Sequence, residues 1–202
     1  MNAVLAVTLG YLVGSIPFAY LLSRWQGIDL RRTGSGNVGA SNVLRTTGVR
    51  AAVLAMMLDA VKGTLAVVMA QLLSAGPIAI VAAAFASIVG HVYPVWLRFH
   101  GGKGVATAAG AFALLAPKAM GIAAAVFLVA VIATRYISVG SIAGALTLVI
   151  VAVITDVPGV VAIGATASTI IIVYRHRGNL TRLVAGTERR IGQRVLNGRV
   201  SP

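Results

Sequence analysis

Apolar runs long enough to cross a bilayer are the feature that most constrains this chain. A spanning helix needs about 20 mostly apolar residues, because each residue rises about 1.5 Å through a hydrocarbon core of about 30 Å. Residues 3–23, 51–73 and 77–97 each meet that requirement, and residues 104–174 hold enough apolar sequence for several more passes. The runs are continuous rather than alternating, which predicts helices instead of barrel strands. Pro17 lies inside the first run and predicts a kink there. That run does not read as a signal peptide, since no basic residue precedes it and Arg24 follows it. With 58% hydrophobic and 10% charged residues, a soluble fold of 202 residues could not hide this much apolar surface from water.

Residues 104–174 break at 116–118, 134–138 and 155–159, where Pro, Lys, Arg and Asp interrupt the apolar pattern. Cutting at all three gives four further passes. The expected fold is therefore an all-α, polytopic transmembrane bundle of seven spans, with five as the alternative, in a single domain over residues 1–202. Either count is odd and puts the termini on opposite sides. The net charge is +13, from 17 Lys and Arg against four acids. Segments 24–50, 98–104 and 175–202 carry 14 of those 17 cations. Loops on the cytoplasmic side are enriched in Lys and Arg. The amino terminus is therefore expected outside, and the carboxyl terminus, with the basic tail 175–202, in the cytoplasm. This topological reading displaces a nucleic-acid one, because the charges sit between apolar blocks with no interleaved aromatic pattern. The tail through Arg199 is expected to attract anionic lipid.

Three polar segments fall on that one face. The first, GSGNVGASNVLR, runs from Gly34 to Arg45. Its G-x-G-x-x-G (Gly34, Gly36, Gly39) lacks the surrounding strand of a dinucleotide fold. Glycines still let backbone N–H groups converge on an anion. Ser35, Asn37, Ser41 and Asn42 add neutral hydrogen-bonding groups, and Arg45 adds a planar fork suited to phosphate. The second, GHVYPVWLRFHGGKGVAT, contains Gly101, Gly102, Lys103 and Gly104. It is not a Walker loop, since Leu97 and Gly104 occupy two of that motif's defining positions. A glycine loop with one ammonium at the start of an apolar helix remains suited to phosphate. The third, YRHRGNLTRLVAGTE, places His176, Asn179 and Arg182 at i, i+3, i+6, roughly one helical face, and ends at Glu188. Glu188 is expected to fix an arginine or the histidine.

These loops hold no metal-ligand spacing and no Ser-His-Asp set. The absence of cysteine removes thiolate chemistry. His91 sits in apolar surroundings and reads as structural. Asp59 and Lys62, at i and i+3 inside the second run, share a helical face and are expected to pair. An ionisable pair at membrane depth also marks a candidate site.

In order and interval, the three segments resemble the bacterial integral membrane glycerol-3-phosphate acyltransferases that use acyl-phosphate, the PlsY family. The carriers are GSGNVGASN with Arg45, GHVYPV with GGKGVAT, and RHRGNLTRL with Gly186 and Glu188. The resemblance covers nearly the whole chain. Ser41 stands where the family commonly has threonine, and His100 where it often has lysine. The resemblance implies acyl transfer from acyl-phosphate to the 1-hydroxyl of glycerol 3-phosphate, giving lysophosphatidic acid and phosphate for phospholipid synthesis. It implies no cofactor or metal, a multi-pass bacterial inner-membrane location and an active site facing the cytoplasm. Carried over by position, Ser35, Arg45, Lys103, His176 and Asn179 are the expected catalytic group. Gly36, Asn37, Gly39, Ser41, Asn42, Gly101, Gly102, Gly104, Ser141, Arg182 and Glu188 are the expected substrate contacts. The partners so implied are the two phosphorylated substrates and membrane lipid. A small anion carrier would use the same basic loops, but such carriers show internal repeats, and none is evident here.

Overall fold

In the computed structural model, residues 1–192, 195–196 and 199–200 are described. Among them the chain is a helical bundle followed by a short antiparallel hairpin in the tail, Val195–Leu196 with Arg199–Val200. The hairpin is a small departure from the all-α expectation. The charge assigned to Arg194 and Arg199 in the tail lies outside the described side chains.

The first run forms α1 (Asn2–Gly14) and α2 (Phe18–Trp25), broken at Pro17. Proline has no N–H to continue the helical ladder, so the break falls where the sequence predicts it. A short helix of about two turns, α3 (Ala40–Thr46), forms in the second half of the first polar segment. The next two runs form α4 (Val49–Leu72) and α5 (Pro77–Val92). The remaining apolar sequence divides into α6 (Val105–Leu115), α7 (Pro117–Thr134), α8 (Ile137–Ile154) and α9 (Gly159–Arg175). All three expected breaks are therefore present. Finally α10 (Arg177–Val184) leaves α9 at a 51° bend.

Five segments among the described residues are long and apolar enough to cross a membrane: Asn2–Trp25, Val49–Leu72, Pro77–Leu97, Pro117–Thr134 and Ile137–Ile154. A sixth qualifies when α9 and α10 are counted as one bent segment. The 11-residue α6 and the 17-residue α9 are both shorter than the five longer segments, and together they make the difference between five and seven.

In lipid there is little hydrophobic drive between helices, so close packing must hold the bundle together. The crossing of α4 and α6 shows how. A Cβ on Gly110 would lie 1.9 Å from the Ala60 carbonyl oxygen, and one on Gly63 would lie 2.0 Å from that of Thr107. Only glycine permits this approach, which lets the Thr64 hydroxyl donate to the Gly110 carbonyl at 3.0 Å. Helix α1 packs on α5 and α4, and α7 packs chiefly on α8. A core of Ile88, Phe112, Ala119, Leu148 and Ile172 lies among α5 to α9. At one end of the bundle Asn2 donates to the Leu73 carbonyl. At the other end the three polar segments come together.

Inside the bundle Lys62 Nζ lies 2.9 Å from Asp59 Oδ1, as the i, i+3 spacing predicts. The same ammonium donates to the Ile16 carbonyl at 2.9 Å, beside the Pro17 break. The third neighbour is His91, whose Nδ1 is 3.5 Å from Asp59 Oδ1.

Candidate active site

The first polar segment is shaped from beneath by Asn42, which is fully buried. Its amide nitrogen lies 3.2, 3.0 and 2.9 Å from the carbonyls of Leu30, Thr33 and Asn37. Its Oδ1 accepts from the Ser35 N–H at 3.0 Å. Asn42 thus closes the loop rather than facing the cavity above it. Leu30 and Val43 anchor the same segment in a small apolar cluster. On this base α3 carries Ser41 and Arg45 into two adjoining cavities.

The second segment doubles back on the end of α5. The Gly101 N–H donates to the Val92 carbonyl at 3.0 Å, and that of Gly102 to the His91 carbonyl at 3.1 Å. These bonds satisfy carbonyls that the helix end leaves open. Both amides are therefore committed to α5 and do not point at a ligand, contrary to the anion cradle expected from the glycines. The loop's carbonyls are held too: Arg175 donates to Gly102 at 3.3 Å and to Gly101 at 3.2 Å. Arg175 also lies over the Tyr93 ring. What the loop presents to the cavities is Lys103 and Gly104.

The third segment completes the site. Lys103 Nζ donates to Asn179 Oδ1. Asn179 Nδ2 donates to Glu188 Oε1 at 2.6 Å, and these two partners fix the amide orientation. Ser138 donates to the same carboxylate oxygen at 3.2 Å, and Arg182 Nε to Oε2 at 2.8 Å. Glu188 does fix an arginine, as the sequence suggests, and it also orders an amide and a hydroxyl. Burial opposes its charge, but the hydrogen bonds from Asn179, Arg182 and Ser138 outweigh that and hold the carboxyl below its usual range. Burial pushes the Lys103 ammonium down to about 8; the Glu188 charge pulls the other way, while Arg182, Arg45 and Arg175 add to the depression. Burial also works against the charge of Arg45, but a guanidinium stays protonated at neutral pH.

His176 lies just past α9. Its Nδ1 is 2.7 Å from the Ile172 carbonyl, which can only accept, so that nitrogen carries the proton. Burial and the Lys103 charge push its pKa down to about 4. The imidazole is therefore neutral at physiological pH. The Ser141 hydroxyl donates to the Ile137 carbonyl at 2.8 Å. The Nε2 of His176 stays open as an acceptor, but among the described residues no hydrogen bond joins it to Ser141, so the two do not form a nucleophile–base pair.

The two cavities differ in chemistry. One, of about 400 Å³, is polar and is bounded by Gly34, Ser35 and a ring of arginines at 175, 177, 182 and 189. The other, of about 370 Å³, is largely apolar and runs between α4, α6, α7 and α8, past Gly39, Met56, Ala109, Phe127, Ser141 and Leu148. Asn37, Ser41, Arg45, Lys103, Asn179 and Glu188 line both. His176 faces the apolar one and Arg182 the polar one. Gly36 turns the first loop at φ +74° and lines neither. Gly101 and Gly102 also stand outside both, bordering a third, small cavity beside Asp59 and His91.

Sequence reasoning gave no role to Arg175, Ser138 or Arg189. Arg175 sits inside the third motif, and Ser138 lies three residues before Ser141 on the same helical face, so each carried a local signal. Arg189 has a buried guanidinium nitrogen without a hydrogen-bond partner, at the wall of the polar cavity. Only the folded arrangement identifies it.

A family model described as glycerol-3-phosphate acyltransferase matches residues 4–186. A glycerol-3-phosphate acyltransferase of Desulforamulus reducens is 42% identical over 195 residues, covering 96% of this chain and 98% of that one. Similar solved structures include PlsY, an integral membrane glycerol 3-phosphate acyltransferase, in its glycerol 3-phosphate form. That structure is 37% identical with a TM-score of 0.91, covering 95% of this chain and 96% of that one. The lysophosphatidic acid form of PlsY is 36% identical with a TM-score of 0.89 at the same coverage.

Proposed function

The chain belongs to the glycerol-3-phosphate acyltransferase family, of the PlsY type, and we propose that it moves a fatty acyl group from acyl-phosphate to the 1-hydroxyl of glycerol 3-phosphate. The products are lysophosphatidic acid and inorganic phosphate. The observation that carries this reading is the junction of the two cavities at Arg45 and Lys103. A reaction between one small phosphorylated alcohol and one phosphorylated fatty chain needs a polar compartment, an apolar one, and cations where they meet. The polar cavity suits glycerol 3-phosphate, held by Ser35, Asn37, Arg45 and Lys103. The apolar cavity suits the chain of the donor, whose phosphate would sit at the junction.

In the transfer, the glycerol oxygen attacks the acyl carbonyl carbon. The bond from that carbon to the phosphate oxygen breaks, and its electron pair leaves with the phosphate. An acyl-phosphate is already activated, so positioning and charge stabilisation can supply most of the acceleration. Lys103 and Arg45 stabilise the leaving phosphate. Asn179 and Glu188 hold Lys103, and Arg182 holds Glu188. The hydroxyl proton goes to a phosphate oxygen of the donor. A neutral His176 with a depressed pKa is a weak proton acceptor, which favours this route over a histidine base. Direct transfer is preferred to an acyl-serine intermediate, since among the described residues neither the Ser35 nor the Ser141 hydroxyl is hydrogen-bonded to a histidine or a carboxylate.

The reading includes seven crossings, with α6 and α9 added to the five longer segments. The amino terminus lies outside the inner membrane, and the site faces the cytoplasm. The excess of Lys and Arg in the three clustered segments supports this orientation. The test is a donor comparison with purified protein and labelled glycerol 3-phosphate. Palmitoyl-phosphate should yield labelled lysophosphatidic acid with matching phosphate release, and palmitoyl-CoA should not substitute. Product formation from palmitoyl-CoA alone, or phosphate release without glycerol 3-phosphate at the full rate, would contradict the proposal.

A further inference from the structure

The buried trio of Asp59, Lys62 and His91 takes no part in the transfer just described, yet it lies directly behind the loop that carries Lys103. A Cβ on Gly102 would sit 2.1 Å from His91 Nε2 and 2.8 Å from its Cε1. The edge of the imidazole is therefore pressed against the loop backbone at the residue before Lys103. The opposite edge of the ring faces Asp59, with Nδ1 3.5 Å from Oδ1. Asp59 is in turn held by Lys62 at 2.9 Å, and Lys62 is tied to the broken first helix through the Ile16 carbonyl. All three side chains are buried. Burying an aspartate and a lysine at membrane depth is costly unless they are paired. The contacts form one line, from the Pro17 break through Lys62, Asp59 and His91 to Gly102 and Lys103.

Resting on the proposed site, we infer that His91, oriented by Asp59 and Lys62, is a positioning residue that sets the height of the Lys103 loop. With Asp59 it also borders the apolar cavity, but the role assigned to it is on the loop backbone at Gly102. The Gly102 and Gly101 amides bond to the end of α5, and Arg175 holds the carbonyls from the other side. The ring supplies the stop between them. A loop without that stop settles toward α5 and withdraws the ammonium from the cavity junction. A loop with a side chain at 102 is pushed off it.

A double-mutant cycle tests this contact. Gly102→Ala alone should raise the KM for glycerol 3-phosphate roughly tenfold, with the KM for palmitoyl-phosphate changed by less than about twofold. His91→Ala removes the ring that the new methyl group meets. The His91→Ala/Gly102→Ala enzyme should therefore recover most of the loss seen in Gly102→Ala. If the double variant instead shows the product of the two single effects, the ring does not meet the loop and the inference fails. If His91→Ala does not yield folded enzyme, His91→Asn replaces it, keeping a polar partner for Asp59 and leaving the Asp59–Lys62 pair intact while removing the ring edge that Gly102 meets. The KM for glycerol 3-phosphate should then rise roughly threefold with little change in the KM for the donor. Equal rises in both constants, or in neither, would overturn the inference. Lys103→Ala is run alongside. An unchanged KM for glycerol 3-phosphate in that variant would refute the proposed phosphate grip itself, which the cycle does not address.

Discussion

At the scale of single residues the account turns on the protonation of Lys103 and His176. Burial lowers the Lys103 pKa to about 8, so the ammonium is charged below that pH and neutral above it. The free-enzyme value governs kcat/KM. As pH rises through about 8, kcat/KM for glycerol 3-phosphate should therefore fall. The second ionisation of a phosphate monoester lies near about 6, so the substrate is already dianionic in that range. In Lys103→Arg the fall should move upward out of the measurable range, because a guanidinium does not titrate there. His176, held neutral down to about pH 4, should add no inflection between about pH 5 and 8. A fall in kcat/KM below about pH 6.5 that vanished in His176→Ala would instead identify the histidine as the base.

At the scale of elements, glycines decide how closely helices approach. Gly110→Leu forces a side chain into the Ala60 carbonyl and should lower stability by roughly 1–3 kcal/mol, read as a lower thermal midpoint in detergent. Gly121→Leu on α7, where a Cβ meets nothing within 4 Å, should leave the midpoint unchanged. Much of the element plan was legible in the sequence. Pro17, Pro117, the Arg135 turn and the Pro158 turn all interrupt helices where local chemistry requires it. Three polar segments were visible as motifs, and the Asp59–Lys62 pair followed from helical spacing. The roles of Asn42, Gly101 and Gly102 were not legible. Each bonds to backbone brought near by the fold, and a motif does not distinguish a glycine that cradles an anion from one that admits a histidine ring. The apolar cavity was also hidden, because it arises from the way α6, α7 and α8 pack and not from any one of them.

For the whole molecule, the arrangement gathers 14 of 17 Lys and Arg residues into three segments whose described side chains meet around one cavity at one end of the bundle. The chain has no cysteine, so single cysteines can report sidedness without background. A cysteine at Ser74 or Lys118 should react with an impermeant maleimide on intact cells from which any outer barrier has been removed. One at Arg98 should react only after the membrane is opened. Reversal of that pattern would invert the proposed orientation. The central claim is that segments far apart in sequence form one grip for a phosphorylated substrate. Equilibrium binding of labelled glycerol 3-phosphate to purified, folded Arg45→Ala, Lys103→Ala and Asn179→Ala proteins tests it most directly. Each substitution, one per segment, should weaken binding by roughly tenfold or more. Wild-type affinity in any of the three would show that its segment stands apart from the site.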